Sequence, residues 1–232
     1  MAETTILIEN ADAVWRRFTT GWRFKVEESL YRHVFPVYRV ITTFCKRYLV
    51  DRHVVGLMRS HLQRGSLAID IGANIGFFTR EFAKCGAEVL AFEPDSANFE
   101  RLRSVEKAFE KVVLHQAAVS DRTGFLNFFI STDLSTDHRI YDDGSGRARV
   151  DVPVTTIDAV VDRAVRLIKM DIQGSEHQAL GGMRETIARS PQLAICSELW
   201  PYGLRKAGTS ASDFLAELDA LGFETFTIDG RT

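Results

Sequence analysis

The sequence predicts an α/β fold: a mostly parallel, twisted sheet with helices on both faces, plus an N-terminal helical segment over residues 1–64. Two observations carry this expectation. A strand–helix–strand unit runs from Ser66 to Pro94, and further short apolar runs recur at Val112–Val119, Leu167–Ile172, Leu193–Leu199 and Phe223–Ile228. Strands that alternate with helices build parallel sheets, because a right-handed crossover returns each strand beside an earlier one.

In the first unit, Leu67 to Ile71 is apolar except for Asp70 and runs into Gly72. Ile75, Phe78, Phe82 and Ala83 then recur at helical spacing, and Gly86 suits the left-handed residue that ends a helix. Val89 to Phe92 is a second strand, closing on Glu93-Pro94. Asp95 is a candidate N-cap for a helix carrying Phe99, Leu102 and Val105. Val112 to Val119 reads as the third strand, with His115 an ordinary strand histidine, and Phe125 to Ile130 as an added one. Ser131 to Gly146 is polar and turn-rich, a long loop expected to arch near the site, and Arg149 to Thr156 returns as an alternating strand. Leu167 to Ile172 is the fourth strand of the main series, with Asp171 near its tip, and Ser175 can cap a helix to about Arg189. Leu193 to Leu199, with Glu198 near its tip, is the fifth; an amphipathic helix over Ser210–Leu221 leads to a last strand at Phe223–Ile228.

The binding chemistry of the first unit can be read from its residue types. Gly72 and Gly76 let a ligand approach the backbone at the carboxyl end of the first strand. Glu93 stands at the tip of the second strand, where an acid can accept both ribose hydroxyls of a nucleoside. The glycines are spaced G-x-x-x-G, so the dinucleotide pattern G-x-G-x-x-G is absent. Asp70 adds a negative charge beside the turn, which repels a pyrophosphate and attracts a sulfonium or an amino group. S-adenosylmethionine is favoured over NAD on these grounds.

Three segments bear a family resemblance: I-D-I-G-A-N-I-G-F-F-T at Ile69–Thr79, F-E-P-D at Phe92–Asp95 and I-K-M-D-I-Q-G-S-E at Ile168–Glu176. The chain resembles the FkbM family of S-adenosylmethionine-dependent methyltransferases over roughly Ser66 to Asp229. The third segment is the family-specific one. The family usually carries Glu where this chain has Gln173. The resemblance implies a Rossmann-like class I methyltransferase fold with residues 65–232 as the S-adenosylmethionine-binding domain, and residues 1–64, outside it, read as a helical accessory or cap segment. It implies cofactor contacts from Asp70, Gly72, Ala73, Asn74, Gly76, Phe77, Glu93, Pro94, Gln116, Ala117, Ala118 and Asp171. Such sheets usually add a seventh, antiparallel strand, for which Phe223–Ile228 leaves no room; the sheet is expected to be shorter, or the chain truncated.

Composition bounds the alternatives. The 232 residues suffice for one large α/β domain and an accessory segment, and 45% hydrophobic with 26% charged residues is ordinary for a soluble globular protein. The net charge of −2 argues against a nucleic-acid partner. It is unevenly spread: residues 1–64 carry 11 Lys+Arg against 6 Asp+Glu, the remainder 18 against 25. Trp15, Phe18, Trp22, Phe24 and Tyr31 interleave with Arg16, Arg17, Arg23, Lys25 and Arg32 in this front segment. It reads as a cap packed on the core or as a peripheral membrane contact. Cys45, Cys85 and Cys196 are odd in number and widely spaced, as for reduced thiols in the cytoplasm. No apolar run reaches the ~20 residues of a membrane span, and charges at Glu9, Asp12, Arg16 and Arg17 break any signal-peptide core.

Methyl transfer to an alcohol needs alignment and a base for the hydroxyl proton. The candidates, in order, are Asp171, Glu176 and His138. Asp171 could instead hold the cofactor's amino group, and Glu176 could simply favour a helix dipole. Asp171 and Glu198 end neighbouring strands and could hold Mg²⁺ with waters, although no third ligand is evident and the resemblance implies no metal. The function expected is O-methylation of a small molecule or glycan, such as a sugar or polyketide. The alternative is a non-catalytic S-adenosylmethionine-binding protein acting through its basic-aromatic front. The acceptor and the oligomeric state are not readable from the sequence.

Overall fold

A computed structural model describes residues 5–10, 51–130, 138, 140 and 147–228. In chain order the elements are β1 (Thr5–Asn10), α1 (Asp51–His61), β2 (Leu67–Ile71), α2 (Phe77–Lys84), β3 (Glu88–Phe92), α3 (Ser96–Glu106) and β4 (Val112–His115). There follow β5 (Ala118–Val119), β6 (Gly124–Ile130), β7 (Ala148–Thr155), β8 (Leu167–Met170), α4 (Glu176–Gly181) and α5 (Arg184–Ala188). The chain continues through β9 (Ala194–Leu199), α6 (Pro201–Lys206), α7 (Ala211–Ala220) and β10 (Glu224–Ile228).

Seven strands form the main sheet in the order β10-β1-β9-β8-β2-β3-β4, and every neighbouring pair in it is parallel. This is the doubly wound, Rossmann-like arrangement that the alternation of strands and helices dictates. The order reverses between β2, which leads outward to β3 and β4, and β8, which leads the other way. Ligands of open parallel sheets bind at such a switch point. A second, three-stranded sheet, β5-β7-β6, stands at the end of the β4 branch, with β6 and β7 antiparallel.

Side-chain alternation along the strands feeds two cores. Leu67, Ile69 and Ile71 of β2 join Ile168 and Met170 of β8 in a cluster with Leu180, Ile187, Leu204, Phe214 and Leu218 of the later helices. Ala68 of β2 joins Val89, Ala91 and Leu167 in a cluster with Val54, Met58, Phe82, Leu102 and Val105 of α1, α2 and α3. Asp70 and Lys169 occupy the second face too, directly opposite each other in the β2–β8 register.

Among the described N-terminal residues, one stretch differs from the helical expectation. Asp51–His61 is helical, but Thr5–Asn10 is a strand paired with both β9 and β10. Its sequence, T-I-L-I-E-N, is rich in β-branched residues, which favour the extended backbone of a strand. The sheet is therefore not short of a strand. The slot between β9 and β10 is filled in parallel from the N-terminal side. The basic-aromatic stretch that was read as a cap or membrane contact falls in residues 11–50, outside the described residues.

Candidate active site

The carboxyl ends of β2, β3 and β8 open into a cavity of about 670 Å³, counting its solvent-facing mouth. Gly72 and Asn74 line it from the turn after β2, Glu93 and Pro94 from the turn after β3, and Asp171 and Gln173 from the turn after β8. Ala117, Ala118 and Val119 form another wall, and Phe128, His138 and Ile140 reach in from the second sheet and the loop beyond it.

The turn after β2 is shaped by close approach. Gly72 has φ 77°, and a Cβ there would stand 2.2 Å from the Asp171 carbonyl oxygen, so only glycine lets β2 end against β8. Gly72 N–H and Ala73 N–H both donate to the Phe92 carbonyl, at 3.0 and 2.9 Å, which lashes this turn to β3. The same geometry aims Asn74 N–H at the Glu93 Oε2, 2.7 Å away, while Asp95 N–H donates to Oε1 at 2.9 Å. Each oxygen of Glu93 thus keeps an acceptor position for a ligand hydroxyl. Burial pushes the Glu93 carboxyl up to about 7, against the pull of these two backbone donors.

Asp70 does not reach the cavity. It is fully buried on the α2 face, where Thr79 Oγ1 donates to its Oδ2 at 2.6 Å. Lys169 Nζ stands 3.6 Å from Asp70 Oδ1, an ion pair rather than a hydrogen bond, and 3.7 Å from Asp171 Oδ2. It also donates to the Gly72 carbonyl at 3.2 Å. Burial alone would lower the Lys169 ammonium, but the carboxylates of Asp171 and Asp70 outweigh it and hold the group above its ordinary value. The charge beside the glycine turn is therefore answered from within the protein, and one ammonium links the base of the turn to Asp171.

Asp171 is the exposed end of this chain of charges, with its side chain 44% accessible. Its Oδ1 accepts from Gln173 Nε2 at 2.9 Å, and the same amide nitrogen lies 3.1 Å from Glu198 Oε2. Glu176, by contrast, is buried beneath the turn and is absent from the cavity lining. Its Oε1 accepts from Ile172 N–H at 3.1 Å, and burial raises its carboxyl to about 7. His138 does line the cavity. Its Nε2 is 4.0 Å from Asp95 Oδ2 and its ring packs on Phe128, with centroids 5.6 Å apart.

Of the residues expected at the cofactor, Gly72, Asn74, Glu93, Pro94, Ala117, Ala118 and Asp171 line the cavity, whereas Asp70, Ala73, Gly76, Phe77 and Gln116 do not. Ala73 and Gly76 shape the turn from below, Gly76 N–H donating to the Ala73 carbonyl at 2.9 Å, and Phe77 packs on Phe78. Gln116 is turned outward by the tight Ala117 N–H to His115 carbonyl bond, 3.0 Å, which closes the chain just after β4. Among the expected bases, Asp171 and His138 line the cavity and Glu176 does not. Phe128, Ile140, Asn98 and Ser175 line it without having been expected. Phe128 arrives by tertiary packing of the second sheet, for which no local pattern gives a signal, whereas Ile140 belongs to the Ser131–Gly146 loop expected near the site. Asn98 is the N3 residue of α3, whose N–H bonds the Asp95 cap. Among the described residues, no group of three or more His, Cys, Asp or Glu is arranged to hold a metal ion.

Comparison with known proteins bears on this site. The sequence pattern of the methyltransferase FkbM domain matches residues 70–225, most of the chain. The chain belongs to the FkbM methyltransferase family. Its match spans the glycine turn, Glu93, Asp171 and Gln173. A 2-O-methyltransferase, NoeI, of Sinorhizobium fredii is 28% identical over 163 residues, 61% of this chain and 65% of that protein. The crystal structure of an FkbM methyltransferase of Methylobacillus flagellatus is 24% identical, with a TM-score of 0.48, covering 69% of this chain and 37% of that one. A Streptococcus mutans structure described as a methyltransferase in complex with SAH is 14% identical, with a TM-score of 0.45, over 73% of this chain and 80% of the other. This FkbM chain thus spans just under two thirds of the NoeI relative and little more than a third of the M. flagellatus one. Among the described residues, no helix is long and apolar enough to cross a membrane.

Proposed function

We propose that this FkbM domain transfers a methyl group from S-adenosylmethionine to a hydroxyl of a small molecule or glycan, with Asp171 taking the hydroxyl proton. The observation that carries this reading is the pairing, in one cavity, of a buried diol-accepting carboxyl at Glu93 with an exposed, oriented carboxylate at Asp171. The donor set suits the cofactor. Glu93 offers two acceptor positions for the ribose, and the Gly72–Asn74 turn brings backbone close to the ligand. Ile71, Phe92 and Val119 give the cavity apolar wall against which a base can lie. The cofactor supplies a methyl group already activated on a sulfonium.

The protein's own part is alignment and proton acceptance. Lys169 and Gln173 hold the two oxygens of Asp171 from opposite sides, so its carboxylate is oriented before an acceptor arrives. Asp171, at the cavity wall beside Glu198, presents negative charge that favours a cationic sulfonium over a pyrophosphate. His138, beside Asp95, is the second candidate base. The 2-O-methyltransferase named above supports oxygen as the acceptor atom, and sugars, polyketides and related metabolites are the classes to try.

The test is incubation with methyl-labelled S-adenosylmethionine and panels of hydroxylic acceptors, with and without divalent metal. Label on an acceptor oxygen is the expected result. Label on nitrogen or carbon would sink the O-transfer reading. Saturable binding of the cofactor with no transfer to any acceptor would favour a non-catalytic binding protein.

A further inference from the structure

The register of β8 and β9 sets Met170 beside Ser197, so the next residues, Asp171 just past the end of β8 and Glu198 still within β9, stand side by side on neighbouring strands. Two carboxylates in that position repel and offer each other no hydrogen, so something must bridge them or they will part. A metal ion, a proton or a neutral donor would serve. Here the bridge is the Gln173 amide, with Nε2 2.9 Å from Asp171 Oδ1 and 3.1 Å from Glu198 Oε2. The pair of acceptors fixes which end of the amide faces them, because only the nitrogen can donate.

The backbone is bent to deliver this side chain. Gln173 sits at φ 55°, in the left-handed region that residues with a Cβ seldom enter. Gly174 follows at φ 101°, and a Cβ there would stand 2.3 Å from the Gly203 carbonyl carbon, so the turn is pressed directly onto α6. The far side of Asp171 is occupied by Lys169, 3.7 Å from Oδ2. We propose that Gln173 is the positioning residue of this corner: its amide bridges Asp171 and Glu198 in the place a divalent cation would otherwise take, and so fixes the Asp171 carboxylate at the cavity wall. The bridge is a property of the two strand tips and holds whatever reaction the cavity performs.

The proposal is tested by Mn²⁺ titration and thermal melting of the full chain as wild type, Gln173→Ala and Gln173→Glu. Both variants are expected to melt below wild type, Gln173→Ala because the bridge is gone and Gln173→Glu because three carboxylates then crowd one place. Mn²⁺ is expected to raise the melting temperature of Gln173→Glu alone and to bind it about tenfold or more tightly than wild type, as oxygen ligands added to a site tighten it for such ions. Adding Asp171→Asn to Gln173→Glu is expected to remove that gain. A merely structural glutamine would not confer cation dependence on its carboxylate variant. Equal Mn²⁺ effects on wild type and Gln173→Glu would overturn the proposal, as would a gain that survives Asp171→Asn. So would a Gln173→Glu chain that melts like wild type without gaining Mn²⁺ affinity, or one that stays unfolded even in Mn²⁺. Turnover does not enter these readouts, so failure of the methyl-transfer reading would leave them intact.

Discussion

Asp171→Asn is expected to lower turnover by about 10²- to 10⁴-fold, the usual cost of losing a general base. The substitution keeps the shape of the side chain and removes its capacity to take a proton. Binding of SAH is expected to change little, because on the proposed reading the nucleoside is held by Glu93 and the Gly72–Asn74 turn rather than by Asp171. Single-turnover methyl transfer and SAH calorimetry on the same preparation separate the outcomes. If Asp171 only held the cofactor's amino group, affinity would fall and saturating cofactor would restore much of the rate. Normal turnover with normal affinity would remove Asp171 from both roles and turn attention to His138.

Lys169→Met is expected to destabilise the fold by about 3–5 kcal/mol, the range for breaking a buried ion pair from one side. The reason is that Asp70 has no access to water and would keep only the Thr79 hydroxyl. The Lys169 side chain is 7% accessible and Asp70 is 0% accessible, so solvent screening does not soften the loss. Chemical denaturation midpoints measure it. Adding Asp70→Asn to Lys169→Met removes the stranded charge and is expected to recover part of the stability. A Lys169→Met chain within about 1 kcal/mol of wild type, the scale of an ordinary surface substitution, would contradict the buried-network account.

What the sequence made legible follows the physics of its patterns. The β2–α2–β3 unit is written in apolar periodicity and glycine placement, and Asp95 caps α3 through Asn98 N–H as its residue type suggests. Strand alternation is equally regular, yet it sends Asp70 onto the α2 face, which a reading of motif alone assigns to the ligand. Gln116 shows the same limit: a three-residue turn after β4 reverses one side chain and leaves its neighbours Ala117 and Ala118 at the cavity. The strand at Thr5–Asn10 was hidden because a six-residue run with three β-branched residues precedes a much longer basic-aromatic stretch that dominates any local window. The Asp171–Gln173–Glu198 corner was half legible. Both carboxylates were visible at strand tips, but the amide that joins them depends on a left-handed Gln173, which no propensity favours.

The most direct measurement of the central claim, that this cavity is built for S-adenosylmethionine, is a calorimetric titration of the full chain with SAH and with NAD across pH 5.5 to about 8. This window spans the Glu93 carboxyl's value of about 7. Hydroxyl donors prefer the ionised carboxylate as acceptor, so SAH binding is expected to be weaker while Glu93 is protonated, to tighten as pH rises through about 7, and then to level off. At the upper end Glu93→Ala is expected to cost about 1.5–3 kcal/mol of affinity, as for hydrogen bonds to a charged group, and to flatten the pH dependence. NAD is expected to bind far more weakly throughout. NAD binding as tight as SAH, or SAH affinity indifferent to Glu93→Ala, would contradict the account.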